Sequence, residues 1–274
     1  IENFSVADIE QQLLGDRVKG FNVCAEICER YADTDRIALR HESTDGSVSD
    51  YSFADLNRRS AQFANYLNSL GIGRGDCVAC LLPRTLELFV VVLGTLRAGA
   101  VYQPMFTAFG PSAIEYRTQR AGTRLIVTDE TNRPKLDEIK DCPAVLLVTD
   151  STSARNDVVF AQALNAQSAE FESVVIGARD PFLQMFTSGT VGKSKGVSVP
   201  AEGLLSMFVY MKYGIGLEPD DVYWNVADPG WAYGLFYAVI GPLLLGHTTH
   251  INEAGFTAAN TLEFLTRHGI TNLA

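Results

Sequence analysis

No stretch of this sequence is apolar for long enough to cross a membrane. The best candidates, residues 77–83 and 86–96, are short or interrupted by Glu87, Gly94 and Thr95, whereas a span needs roughly 20 residues. No cluster of lysine or arginine relieves a formal net charge of -10, so the average surface repels a phosphate backbone and nucleic acid is excluded as a partner. The five cysteines are an odd number, and Cys24, Cys28, Cys77, Cys80 and Cys142 all stand among apolar neighbours. That pattern excludes a disulfide framework and fits buried thiols in a reducing compartment. Internal repeats and low-complexity tracts are missing too. The opening Ile1-Glu2-Asn3-Phe4 has neither an initiator Met nor a basic, signal-like segment, so a trimmed or ordered start and a cytoplasmic location are expected.

What is present is a 274-residue chain, 47% hydrophobic and 20% charged, enough to bury one large core or two lobes. Asn22 is a candidate N-cap for a helix with Val23, Ile27 and Tyr31 on its apolar face. A strand over 37–39 and the Asp45-Gly46 pair predict a hairpin into Tyr51. Ser52 and Asp55 form a capping-box pattern ahead of a helix bearing Leu56, Phe63, Leu67 and Leu70, with Gly71 at the left-handed C-cap. From Gly75 the pattern alternates: strand 77–82, helix 85–97 ended by Gly99, a strand at Val101, a helix opened by Pro111, strand 125–128 and strand 144–149. Such alternation predicts a largely parallel sheet covered on both faces. The polar stretch 150–169 is the expected connection between lobes. Beyond it come strand 182–186, helix 204–213, strand 222–226, helix 236–245 and helix 258–268. The final 270–274 reads as a strand just beginning, from which a continuing chain is expected.

The chemistry concentrates in Thr187-Ser188-Gly189-Thr190-Val191-Gly192-Lys193-Ser194-Lys195-Gly196, directly after an apolar strand. Glycines let backbone N–H groups approach phosphate oxygens, hydroxyls donate to them, and lysines bring charge. A polar surface loop of the same composition is the plain alternative. The P-loop of nucleoside-triphosphatases is a sharper rival, since Gly192-Lys193-Ser194 matches its end. That motif needs a glycine five positions before Gly192, where Thr187 stands, so the match fails.

At these residues the sequence resembles the adenylate-forming superfamily of acyl-CoA synthetases, luciferases and peptide-synthetase adenylation domains, whose phosphate loop reads roughly T-S-G-T-T-G-x-P-K-G. Eight of the ten positions agree or are unrestricted, with Val191 and Ser194 departing. Tyr51-Ser52-Phe53, Gly75-Asp76-Cys77-Val78-Ala79, the segment 93–102 and Pro104 follow the family's order. Ala227-Asp228-Pro229-Gly230-Trp231-Ala232-Tyr233-Gly234 is similar to the acyl-pocket region of acetyl-, short- and medium-chain acyl-CoA synthetases. Its alternative reading is a tryptophan packed in the core beside a Pro-Gly turn.

The resemblance implies an α/β fold of layered mixed sheets flanked by helices, with residues 1–170 a first lobe and 171–274 the start of a second. It implies that Thr187, Ser188, Gly189, Thr190, Gly192, Lys193 and Lys195 hold the ATP phosphates, that Thr190 is a possible Mg contact, and that Trp231, Ala232, Tyr233 and Gly234 border the acyl group. No catalytic residue is assigned within the chain. The implied reaction is activation of a small carboxylic acid by ATP and Mg to an acyl-adenylate, then transfer to CoA. The family's Tyr-Gly-x-Thr-Glu motif, its ribose-binding Asp and the lysine of its small carboxy-terminal domain have no counterpart before Ala274, so the chain alone is expected to be inactive. A carrier-protein thiol as acceptor, a simple ATPase and a non-catalytic nucleotide-binding scaffold stay open. Three further features are read as structural. Cys77 and Cys80 point to opposite faces of a strand, His247 and His250 mark a turn and strand edge, and Arg133 is a solvated surface arginine although relatives bring a basic residue there towards the CoA nucleotide.

Overall fold

The computed structural model describes residues 5–150, 155, 157–187 and 194–274. Among them the strands are β1 (Ile37–Glu42), β2 (Val48–Ser52), β3 (Cys77–Leu81), β4 (Val101–Pro104), β5 (Thr123–Asp129), β6 (Ala144–Val148), β7 (Val158–Val159), β8 (Pro181–Thr187), β9 (Lys195–Pro200), β10 (Tyr223–Trp224), β11 (Thr249–Asn252) and β12 (Asn272–Leu273). The helices are α1 (Val6–Glu10), α2 (Val23–Ile27), α3 (Phe53–Ser69), α4 (Leu86–Arg97), α5 (Pro111–Ala121), α6 (Phe160–Asn165), α7 (Gly203–Val209), α8 (Ala232–Gly234), α9 (Gly241–Leu244) and α10 (Ala258–His268).

Two mixed sheets result. The larger has the order β7-β6-β5-β3-β4-β8-β9, parallel throughout except for the antiparallel β8–β9 pair at its edge. The smaller has the order β12-β10-β11-β1-β2. Strands from both sides of position 170 enter each sheet: β8 and β9 extend the first, and β1 and β2 complete the second. The β1–β2 hairpin turns at Gly46, whose φ of +83° suits glycine.

Period-two alternation decides how the large sheet is covered. Along β3, Val78 and Cys80 face the main core with α3 and α4, while Ala79 and Leu81 face a second cluster with Ile114 of α5, Leu136 and Ile139. Cys77 and Cys80 are thus on opposite faces, and burial pushes both thiols up to about 12. The Ser52–Asp55 capping box forms at the start of α3; Leu70, past the last turn, is half-exposed. Asn22 caps α2 through Oδ1 and donates Nδ2 to the carbonyls of Leu96, Arg97 and Val174 at 3.2, 3.1 and 2.8 Å.

Four expectations are corrected. Within the stretch 150–169, residues 158–165 are no bare linker: β7 pairs with β6, and α6 buries Phe160, Ala163 and Leu164. The helix expected over 204–213 passes into a π-helical segment at Tyr210–Ile215, and the one expected over 236–245 starts within a π-helical segment at Leu235–Ile240 before continuing as α9, a widening with no propensity signature. The strand expected over 222–226 is only Tyr223–Trp224, because the Asn225 side chain accepts from Ala227 N at 2.9 Å and turns the chain away. Arg133 is not solvated: it joins Asp157 at 2.7 Å and Asp137 at 2.7 Å, with its side chain 13% exposed.

His247 follows the turn ahead of β11, in keeping with the sequence reading, whereas His250 differs from a strand edge. His250 lies in β11, at the middle of the small sheet, with Nδ1 2.9 Å from the Tyr223 carbonyl and Nε2 buried without a partner. Burial pulls its pKa from 6.5 down to about 4. The unfolded imidazole therefore takes up a proton near its ordinary pKa that the folded one refuses. Stability is fully present above pH 6.5 and falls as the pH drops towards 4, by up to about 3 kcal/mol from this group. Urea unfolding of His250→Asn, which keeps a donor for the Tyr223 carbonyl, is expected to show a shallower loss across that window than wild type; parallel curves would mean that the buried ring protonates freely.

Candidate functional site

A parallel sheet delivers the carboxyl ends of its strands to one edge, and loops there form the usual ligand crevice. β8 arrives at that edge parallel to β4, with Tyr102 opposite Leu183, and returns as β9. In this hairpin Thr187 stands opposite Lys195, so two of the predicted phosphate-binding residues face each other at the root of the loop. Ser188, Gly189, Thr190, Gly192 and Lys193 lie outside the described residues, as does Val191. α5 braces both sides of the root: the Tyr116 hydroxyl donates to the Ser194 carbonyl at 2.8 Å, and its ring meets Phe186 with centroids 6.2 Å apart. Among the described residues no group of three His, Cys, Asp or Glu side chains could hold a metal ion, and Thr190, the possible Mg contact, falls outside them.

Beneath the root is a cavity of about 370 Å³, at the lower end of the roughly 300–1,000 Å³ range of small-molecule sites. Its walls come from the end of β8 (Met185, Phe186, Thr187), from Val197 and Val199 of β9, and from Phe109, Trp231 and Ala232. Trp231 is 43% exposed and is not a core residue; its ring leans on Phe106 and Phe109 at 5.4 and 5.5 Å. Of the four residues expected to border an acyl group, Trp231 and Ala232 line this cavity. Tyr233 does not: it is 43% exposed and its ring packs edge-on against Tyr237 at 4.9 Å. Gly234 is buried against backbone.

Sequence reasoning missed Phe109, Arg117, Phe186, Val197, Val199 and Phe236, all part of the lining. Val197 and Val199 were available from the alternation along β9, and Phe109 from its place just after a strand's carboxyl end. Arg117 carries no local signal beyond sharing the inner face of α5 with Ile114.

The wall at 227–234 is held by short-range geometry. Asp228 Oδ1 accepts from Gly230 N at 2.8 Å, and the Asp228 carbonyl accepts from Trp231 N at 3.0 Å. Arg84, after β3, donates to the Val226 carbonyl at 3.1 Å and approaches Asp228 at 3.8 Å. A Cβ on Gly234 would stand 2.1 Å from the Asp228 carbonyl oxygen, a backbone atom that cannot step aside without moving the wall. Gly234→Ala is therefore expected to cost about 3 kcal/mol or more and to shift Trp231 emission to the red as the ring loses Phe106 and Phe109. An unchanged emission maximum and unfolding midpoint would show that the turn has slack.

The geometry can be set beside known proteins. A family model described as AMP-binding enzyme matches residues 25–274. Acetyl-coenzyme A synthetase of Chromobacterium violaceum is 32% identical over 244 residues, covering 81% of this chain and 37% of the relative. That of Thiobacillus denitrificans is 33% identical over 276 residues, covering 91% and 42%. The crystal structure of Brucella canis acyl-CoA synthetase superposes with a TM-score of 0.96 at 46% identity, over 100% of this chain and 50% of that one. The chain spans about two fifths of the length of the curated relatives it matches. On the matched span and on the shared fold, this chain belongs to the AMP-binding enzyme family.

Proposed function

We propose that the whole protein carrying this chain activates a short- or medium-chain carboxylic acid with ATP, forming an acyl-adenylate and then an acyl-CoA. The observation that carries the proposal is the apolar cavity opening at Thr187, at the root of the phosphate-loop motif, with Lys195 across the hairpin. An acid needs somewhere dry for its tail and a cationic, donor-rich place where its carboxylate can meet a triphosphate. The two halves of that requirement are adjacent here. The names carried by the relatives, acetyl-coenzyme A synthetase and acyl-CoA synthetase, support the same chemistry.

In this reading an oxygen of the carboxylate attacks the α-phosphorus of ATP and pyrophosphate leaves; the thiol of CoA then attacks the acyl carbon and AMP leaves. The first step brings one anion onto another, so catalysis consists of neutralising charge and fixing the in-line approach. Thr187, Ser188, Gly189, Thr190, Gly192, Lys193 and Lys195 hold the phosphates, and Mg, bound with ATP, shares their charge. Trp231 and Ala232 bound the acyl tail, the small Ala232 leaving room for more than two carbons.

The test is carboxylate-dependent pyrophosphate exchange by the full-length gene product, run across acetate, propionate, butyrate, longer fatty acids and benzoate. Exchange is expected to require an acid and to fall by about a hundredfold or more in Lys195→Ala. Exchange indifferent to every acid, or unaffected by the substitution, would remove the adenylation reading.

A further inference from the structure

One cation in the cavity wall has no counter-charge among the described residues. Arg117 projects from α5 with its guanidinium carbon 4.2 Å from the Phe109 ring centre and 5.7 Å from that of Phe186. Its Nη1 donates to the Ala113 carbonyl of its own helix at 2.9 Å. Its Nε is buried without an acceptor, and no carboxylate among the described residues pairs with it. Three other arginines that enter the body of the fold are treated differently: Arg30 meets Glu26, Arg97 meets Glu29 and Arg133 meets Asp157. With 32 acidic against 22 basic residues, the chain does not lack carboxylates to place there.

A guanidinium set between aromatic rings gains from their faces, yet drawing part of it out of water without an anion carries a desolvation cost. The same burial lowers its pKa. The site becomes favourable when the missing charge is brought in from outside. Arg117 lines both the apolar cavity, with Thr187 and Trp231, and a second recess of about 510 Å³ beside Tyr116 and Ser194. A ligand in either recess is therefore within reach of it.

We propose that Arg117 is a specificity-determining residue that makes this cavity select anions, pairing with the carboxylate of the incoming acid while Phe109 and Phe186 fix the guanidinium plane. The inference deepens the acid-activation reading and rests on it for the identity of the anion. A purely structural arginine, a spacer between two rings, would treat a carboxylate and an uncharged ligand of the same shape alike. The charge role separates them.

The experiment measures binding of butyrate and octanoate, each against its primary amide, to the full-length protein by calorimetry and by Trp231 emission. Wild type is expected to bind the acid about tenfold more tightly than the amide. Arg117→Met, which keeps an apolar stem in the wall, is expected to bind acid and amide equally, and Arg117→Lys to keep most of the preference. Arg117→Gln provides a second neutral variant should the Met protein unfold. No acid preference in wild type at either chain length, or a preference that survives in both neutral variants, would overturn the proposal. Pyrophosphate exchange on the same preparations separates the two readings. An Arg117-dependent acid preference without exchange retires adenylation and leaves the anion site standing; exchange with a preference indifferent to Arg117 does the reverse.

Discussion

The site depends on one strand being delivered to the right place: β8, laid parallel to β4 at the margin of a sheet whose other strands are already fixed. Parallel pairing requires a long return from the far edge of the sheet, and here the chain crosses from β7 back to β8 through 166–180. That return is pinned by Asn22, whose buried amide donates to the Val174 carbonyl as well as to the last turn of α4, and by Val174 N on the Arg97 carbonyl. Phe21 and Ile176 exchange backbone hydrogen bonds next to it. An early loop, a central helix and the approach to β8 are thereby locked together, so the hairpin carrying Thr187 and Lys195 emerges at the carboxyl edge of the sheet. Removing that lock would expose several backbone acceptors at once, each costing roughly 1–3 kcal/mol when left buried and unpaired.

Electrostatics adds a second layer. A net charge of -10 sets a background that repels anions, and anion recognition must be assembled locally against it. Most interior arginines cannot help, since their charge is spent on neighbouring carboxylates: Arg97, 2% exposed, is held by Asn57, Ser173 and Glu29, and Arg133 by two aspartates. Around the hairpin root the pattern reverses. Lys195 is exposed across from Thr187, and Arg117 is screened by rings instead of paired. Because an apolar wall lowers the local dielectric, a guanidinium there is less screened than one on the open surface.

How much of this could be read from the chain follows from the range of the interactions. Caps and turns are local, so Asn22, the Ser52–Asp55 box, Gly46 and Pro111 announced their elements. The alternation of strands with helices announced a parallel sheet. The phosphate-loop motif and the Gly-Trp segment are contiguous and were visible as written. What stayed hidden depends on residues far apart in sequence. Nothing near Arg133 indicates Asp157 as its partner, and nothing near His250 tells that β1 and β10 will flank its strand. The stretch 150–169 misled because Phe160, Ala163 and Leu164 have meaning only against α3 and β6. The π-helical turns at 210–215 and 235–240 are a packing outcome: Gly241 brings its backbone against Met211, where a Cβ would come within 2.6 Å of the sulfur.

The same range argument bears on how the cavity forms. One wall comes from Pro104, Phe109, Arg117, 185–187, Val197 and Val199, within the large sheet and its α5 cover. The opposite wall, 230–236, hangs between β10 and β11 of the small sheet, and that sheet in turn is completed by β1 and β2 from the first quarter of the chain. Glu42 of β1 reaches Arg267 at 2.7 Å and His268 at 2.6 Å on α10, across more than two hundred residues. The cavity is therefore a boundary between two sheets, each closed by non-local pairing. Neither lobe of sequence can form it alone, since each contributes strands to both sheets. A ligand bound in the cavity touches both walls and favours the state in which both sheets are complete. The placement of the cavity at that junction would make occupancy by any ligand and the closure of the fold one linked equilibrium, and it ties the position of Trp231 to contacts made by the first quarter of the chain.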